Sequence, residues 1–272
     1  MYIIGAALDK ENAKAAVYNE KYERLAGKAE KGSNLASVCL AVIAEAGIKK
    51  EEVAYVGVAL GADVADAAVA DLEKTLGIKC YGAALMNVRA LGEAYLAKDV
   101  SSLFMLKIDD TMDCGIVIDK KIYAGAHSLG GKVAHMVVDF GGFECTCGRL
   151  GCFEAYASNA GLRRIAAEAG VAGAEAISHK ALFAMDTPEA EKAKKLYVKY
   201  LASGITNIVN LFQPNELVLE GPFTEVADAL MKPMMDIVLR EQYTRNAEDK
   251  CDVRFANTAA DTALLGAALL GR

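Results

Sequence analysis

HMVVDFGGFECTCGRLGCFEAY, residues 135–156, gathers three cysteines and a histidine into one short stretch. Cys145, Cys147 and Cys152 fall within eight residues, and His135 stands ten residues before the first of them. Three thiols and one imidazole match the composition of a structural Cys3His zinc site. Zinc has no directional preference of its own and accepts such a tetrahedron. Gly148 and Gly151 allow the sharp turns that make the sulfurs converge. A loop of this length buries no core, so a metal ion can fix its shape instead. The C-x-C spacing is less common than C-x2-C, so spacing alone leaves unrelated thiols or a redox pair as alternatives. No open coordination position is evident, which argues against a catalytic zinc. Glu154, just after the last cysteine, reads as an acid complementing a helix N-terminus.

Outward from this stretch the chain reads as α/β. Upstream, YIIGAAL, the turn DKEN and AKAAVYN predict a hairpin at the N-terminus. A helix is expected over 33–47, capped by Ser33 or Asn34 and ended by Gly47. A strand over 53–60, a helix over 65–76, a strand over 78–84 and a helix over 87–98 follow. The pattern then restarts with short strands at 102–108, 114–119 and 121–126. Downstream of the cysteines, helices are expected at 154–169, 188–212 and 223–241, with a strand at 215–221 and an apolar C-terminal helix. Each half opens on strands and continues with alternating elements, which predicts two lobes, each with a mixed sheet, and a cleft between them. The expected domains are 1–98, an N-terminal α/β lobe, and 99–272, a C-terminal α/β lobe carrying the zinc loop. The last helix is expected to pack back on the first lobe.

Composition narrows the function. With 54% hydrophobic and 24% charged residues the chain can build a sizeable core. A net charge of −6 argues against a general nucleic-acid binder. The opening residues lack a basic region followed by an apolar run, so no signal peptide is expected. No apolar stretch is long enough to span a bilayer. A cytoplasmic protein without membrane contact is expected. Cys39, Cys80, Cys114 and Cys251 are scattered and read as buried small hydrophobes. The methionine-rich run 230–238 reads as core packing.

C-T-C-G-R-L-G-C-F-E, with its histidine ten residues upstream, resembles the signature of the ROK family of bacterial sugar kinases, glucokinase and fructokinase among them, and sugar-responsive repressors. The resemblance extends along the whole chain. CGIVIDKKIYAGAHSLGGKVAHMVVD (114–139) is similar to the segment leading into the family's zinc loop. GIKCYGAALMNVRALGEA (77–94) resembles its catalytic stretch, QPNELVLEGPF (213–223) the strand before its adenosine site, and LLGAALL (264–270) its terminal helix. It implies a two-lobed actin-like ATPase fold, ribonuclease H-like in each lobe, that binds ATP and sugar. It also implies zinc on His135, Cys145, Cys147 and Cys152, and contacts of His135 and Glu154 with sugar hydroxyls. Asn87 is a further sugar-pocket candidate, and a homodimer is implied.

The departures from the family bear on activity. The first phosphate loop, D-x-G-G-T-K in the family, is here A-L-D-K-E-N, with Ala7 for the leading Asp, Asp9 and Lys10 for the glycines, and Glu11 for the Thr. The second, G-T-G-x-G, reads Asp109, Asp110, Thr111, Met112, Asp113. Two unit charges 4 Å apart repel by about 4 kcal/mol at an effective dielectric of 20, so these acids disfavour ATP. They otherwise read as solvated turn acids or a cation site. Aligning the shared A-L-G-E-A places Leu85 at the family's catalytic Asp and Ala84 at an Asn, leaving Asn87 alone of that motif. Leucine accepts no proton, and loss of a general base costs about 10²–10⁴-fold in rate. Lys132 stands at a sugar-contacting Glu, the stretch between Leu60 and Gly77 is shortened, and Glu220, Pro222 and Phe223 crowd the adenosine turn. A sugar-kinase-like protein with impaired or absent catalysis is therefore expected, acting as a sugar-binding, regulatory or scaffold module, as a homodimer or as partner of a related kinase. Zinc is its expected cofactor, without ATP or magnesium. An active hexose kinase with a non-standard site is the alternative. Family repressors carry a helix-turn-helix before the first strand, which here starts at Tyr2, so direct DNA binding is not expected.

Overall fold

The structure, a computed structural model, describes residues 1–272 except 10, 33, 63, 66, 245, 247–249 and 258. Lys10 and the cap candidate Ser33 thus lie outside the described residues.

The chain opens as β1 (Tyr2–Leu8), β2 (Asn12–Tyr18) and β3 (Arg24–Lys31). Helix α1 (Leu35–Glu45), strand β4 (Val53–Leu60), helix α2 (Ala67–Leu76), strand β5 (Cys80–Ala84) and helix α3 (Leu85–Leu96) follow. Next come β6 (Leu103–Ile108), β7 (Met112–Ile118), β8 (Lys121–Ile122), α4 (Phe153–Ala157), α5 (Asn159–Ala169), α6 (His179–Ala184) and α7 (Pro188–Phe212). The chain closes with β9 (Glu216–Glu220), α8 (Ala227–Glu241), β10 (Asp252–Phe255) and α9 (Thr262–Ala268). The strands form two five-stranded sheets, in the orders β3-β2-β1-β4-β5 and β10-β9-β6-β7-β8.

Residues 1–102, 115–124 and 257–272 make one compact unit, and residues 103–114 and 125–256 another. The units therefore interleave along the chain: the expected boundary after residue 98 lies after 102, residues 115–124 also join the first unit, and residues 257–272 join it as expected of the last helix. In the first unit β1 runs antiparallel to β2 and parallel to β4. Alternation along β1 sends Ile4, Ala6 and Leu8 into a core with Val38, Cys39 and Val42 of α1 and with Leu72 and Leu76 of α2. The opposite face of the sheet meets α9 through Ile3, Ala16 and Tyr18 against Leu264, Leu265 and Ala268. That helix lies on bare backbone: a Cβ at Gly5 would stand 1.9 Å from the Leu264 carbonyl oxygen, and one at Gly57 1.7 Å from that of Ala267.

In the second unit β9 lies between β6 and β10 and is parallel to both. Leu103–Leu106 of β6 and Leu217–Leu219 of β9 are buried without alternation, as strands covered on both faces must be. Tyr197, Leu201, Ile205 and Ile208 supply the buried stripe of α7. Leu230, Met234 and Val238 of the methionine-rich run are buried, in keeping with core packing.

Several elements differ from the sequence reading. The helix expected over 154–169 breaks at Ser158, whose extended backbone ends α4 and whose hydroxyl accepts from Gly161 N to start α5. A 3-10 turn, Pro222–Val226, takes the place of the first residues of the helix expected from 223. The third short strand shrinks to Lys121–Ile122. Strands β3 and β10 and helix α6 were not foreseen. Asn34 provides the α1 cap, its side chain accepting from Ser37 N. Among the described residues no helix is long and apolar enough to cross a membrane.

Candidate metal centre

The loop between β8 and α4 has little regular structure. A 3-10 turn, Val133–His135, presents the imidazole, and isolated bridges pair Val137 with Cys152 and Glu144 with Leu150. The bridges fold the chain back so that Cys145 and Cys147 stand opposite Cys152. Cys145 N donates to the Arg149 carbonyl at 2.9 Å, and Gly148 N donates to Cys145 O at 2.9 Å. Gly148 (φ 83°) and Gly151 (φ 75°) turn in the left-handed region. At Gly151 a Cβ would also lie 1.7 Å from the Asp139 carbonyl oxygen, so glycine is required there.

This folding brings the donor atoms of His135, Cys145, Cys147 and Cys152 within 4.8 Å of one another. Cys145 Sγ lies 3.6 Å from His135 Nδ1, and Cys147 Sγ lies 3.7 Å from Cys152 Sγ. Zinc bond lengths in a tetrahedron put two sulfurs about 3.8 Å apart and sulfur and nitrogen about 3.6 Å apart. The two measured edges fit that geometry, and 3.7 Å is far too long for a disulfide. The four residues can hold a metal ion. Their thiol environments differ. The Arg149 N–H beside Cys147 lowers that thiol's pKa, whereas burial pushes Cys152 up to about 12. A bound dication would deprotonate both.

Glu154 is buried, and its carboxylate is engaged by neighbours. Oε2 accepts from Met112 N at 2.9 Å, and Oε1 accepts from Thr146 Oγ1 at 3.1 Å and lies 3.7 Å from Cys145 Sγ. The expected helix-end acid is thus a tie between the metal loop and the 109–113 turn. Behind the loop, Tyr156 and Tyr200 donate to Asp139 Oδ2 at 2.9 and 2.7 Å, with their rings stacked at 3.9 Å. Arg149 Nη1 donates to the His135 carbonyl at 3.2 Å. Asp139, Thr146, Arg149, Tyr156 and Tyr200 were missed in the sequence. Only the nearness of Thr146 and Arg149 to the cysteines could have flagged them, because the others act across 17 and 61 positions.

Asn87 belongs to the first unit, where its Oδ1 accepts from Ile116 N at 3.2 Å. Leu85 opens α3 and packs with Ala7 on Ala59, Val88 and Ala267. Ala84 caps that helix without a side-chain bond. Asp9 Oδ1 accepts from Glu11 N and Asn12 N at 2.8 and 2.7 Å, and the Glu11 N–H foremost lowers its pKa. Asp109 pairs with Lys107 at 2.9 Å, and Asp110 accepts from Asn159 Nδ2 at 3.0 Å. Glu11, Asp113 and Lys132 are exposed. Phe223 is fully buried against His179 and Phe255, as a core residue of the second unit.

Comparison with known proteins gives one consistent family. The ROK family profile matches residues 16–272. A glucokinase of Halalkalibacterium halodurans is 27% identical over 197 residues, covering 66% of this chain and 59% of the relative. The xylose repressor of Bacillus subtilis is 28% identical over 163 residues, covering 58% of this chain and 42% of the relative. The chain thus spans about half the length of the curated relatives it matches. A crystal structure of a ROK hexokinase from Thermus thermophilus superposes with a TM-score of 0.83 at 23% identity, covering 99% of this chain and 98% of the other. That likeness shows the actin-like ATPase fold of the sugar kinases. With a family match over nearly its whole length and this fold, the chain belongs to the ROK family.

Proposed function

We propose that this chain is a ROK sugar-kinase-like protein that holds a structural zinc ion on His135, Cys145, Cys147 and Cys152 and has lost efficient phosphoryl transfer. In this reading it serves as a sugar-binding, regulatory or scaffold module. The observation that carries the proposal is Leu85. It stands where the resemblance places the general base, and it packs beside Ala7 on Ala59, Val88 and Ala267. A leucine on alanine and valine neither removes a hydroxyl proton nor orients a nucleophile. Support comes from the two loops at the family's phosphate positions. Asp9 has its carboxylate committed to a turn, Asp109 to an ion pair with Lys107 and Asp110 to the Asn159 amide, and their charge opposes a polyphosphate.

Zinc contributes here by fixing the loop, because four protein ligands complete its tetrahedron. His135 and Glu154 are the proposed points of sugar contact. Glu154 would have to trade Thr146 or Met112 N for a sugar hydroxyl. The proposed partner is a second copy or a related active kinase, with no direct contact to nucleic acid.

The glucokinase among the relatives favours a second reading, an active hexose kinase with a non-standard site. ADP release measured with ATP, magnesium and a hexose panel separates the two. The proposal expects no turnover above the background ATPase rate; hexose-dependent turnover overturns it.

A further inference from the structure

Lysine occupies two backbone positions where glycine is the usual residue, and both border the same groove of the first unit. Lys98 follows α3 in the left-handed region at φ 54°. That site just past a helix C-terminus is usually glycine. Asp119 and Lys120, at φ 51° and 61°, form the two-residue turn between Ile118 and Lys121, which pair across the β7–β8 hairpin. Positive φ at both central residues defines a type I′ turn, whose second position favours glycine. A Cβ in this region costs stability. The turn is anchored nonetheless, with Lys120 N donating to the Ser101 carbonyl at 2.8 Å.

The groove holds about 810 Å³, within the range of small-molecule sites. Leu91, Val100, Ile122 and Leu269 give it an apolar floor. Its rim carries Lys98, Lys120, Lys121 and Arg272 against the single acid Asp119. This concentration of positive charge sits on a chain whose net charge is −6. Arg272 is steadied over the Tyr95 ring at 6.0 Å. Among the described residues Lys98, Lys120 and Lys121 have no ion-pair partner. An apolar floor with a cationic rim complements one chemistry, an apolar body bearing a single anionic head. A compact hydrophilic dianion would leave the floor facing water.

We propose that this groove binds a small amphipathic carboxylate of the medium-chain fatty-acid class, its chain on Leu91, Val100, Ile122 and Leu269 and its head between Lys98 and Lys120. The site shares no residue with the metal loop, and the proposal stands whether or not the chain transfers phosphate. Calorimetric titration with decanoate tests it, using the wild type and the double variant Lys98→Gly/Lys120→Gly. Glycine suits both turns, so the variant keeps the fold and melts no lower than the wild type. The expected result is saturable one-to-one binding by the wild type, weakened about tenfold or more in the variant through loss of two charge contacts. Absence of saturable binding by the wild type at millimolar decanoate, or equal affinity in the variant, overturns the proposal.

Discussion

In the metal loop, four metal-ligating side chains crowd their donor atoms within 4.8 Å of one another. At the head of α3, Leu85 and Ala7 lie on Ala59, Val88 and Ala267 with no polar group supplied by either. The ROK resemblance implies functional residues in both places; the loop carries the implied metal donors, and the head of α3 carries Leu85 where a general base is implied. Two of the loop's apolar side chains point outward, Phe140 at 98% and Leu150 at 51% exposure, while Phe143 stacks on Tyr156. Its four donors act beside two backbone bridges and the Tyr156–Asp139–Tyr200 brace in defining its shape. The head of α3 belongs to a regular helix packed on a sheet, so exchanging an acid for leucine there leaves the scaffold intact. In the proposed reading, residues on which the scaffold depends stay, and residues that serve chemistry alone are free to change.

The largest expected effect falls on the loop. Cys147→Ser should abolish zinc retention and cost roughly 5 kcal/mol, since metal affinity is folding free energy in such loops. Metal analysis and thermal melting check it, and a variant that keeps its metal and its melting temperature removes the loop from the comparison.

A second effect, on the order of 3 kcal/mol, concerns His179 in the core of the second unit. Its Nε2 donates to the Tyr197 hydroxyl at 2.9 Å, and that hydroxyl donates to the Ala157 carbonyl at 2.9 Å. Burial lowers its pKa from 6.5 to about 4. The unfolded chain therefore takes up the proton first. The stability contributed by the neutral imidazole is full above pH 6.5 and is lost as pH falls towards 4. Acid also releases metal from thiolates. Chemical denaturation of wild type and His179→Gln between pH 4 and 7 separates the two causes: the difference in slope belongs to His179, and parallel profiles contradict this account.

The metal quartet was legible because its ligands are close in sequence and chemically distinctive. The sheet orders followed less directly. RLAGKAEK gives no alternation to read, because β3 is an edge strand with most side chains exposed. HKALFA is too short for a periodic signal, although Ser178 caps it as a helix start requires. Ser158 offered the same capping signal inside what reads as one helix. The tie from Met112 N to Glu154 was illegible in principle, since a backbone N–H carries no residue identity and the contact spans 42 positions. The return of 115–124 to the first unit was illegible for the same cause, whereas the return of the last helix was expected.

The smallest expected effect is at α3. Leu85→Asp places a carboxylate against Ala59, Val88 and Ala267 and should cost about 1–2 kcal/mol. It should restore no phosphoryl transfer, because the acidic loops at 7–12 and 109–113 remain. Appearance of hexose-dependent ADP release in this variant would reduce the difference between the two regions to one missing base.

The central claim is that the zinc loop persists while the nucleotide site does not. Its most direct test is calorimetric titration of zinc-loaded protein with ATP and magnesium. The account expects no saturable heat up to millimolar nucleotide. Saturable one-to-one binding below that concentration would contradict it.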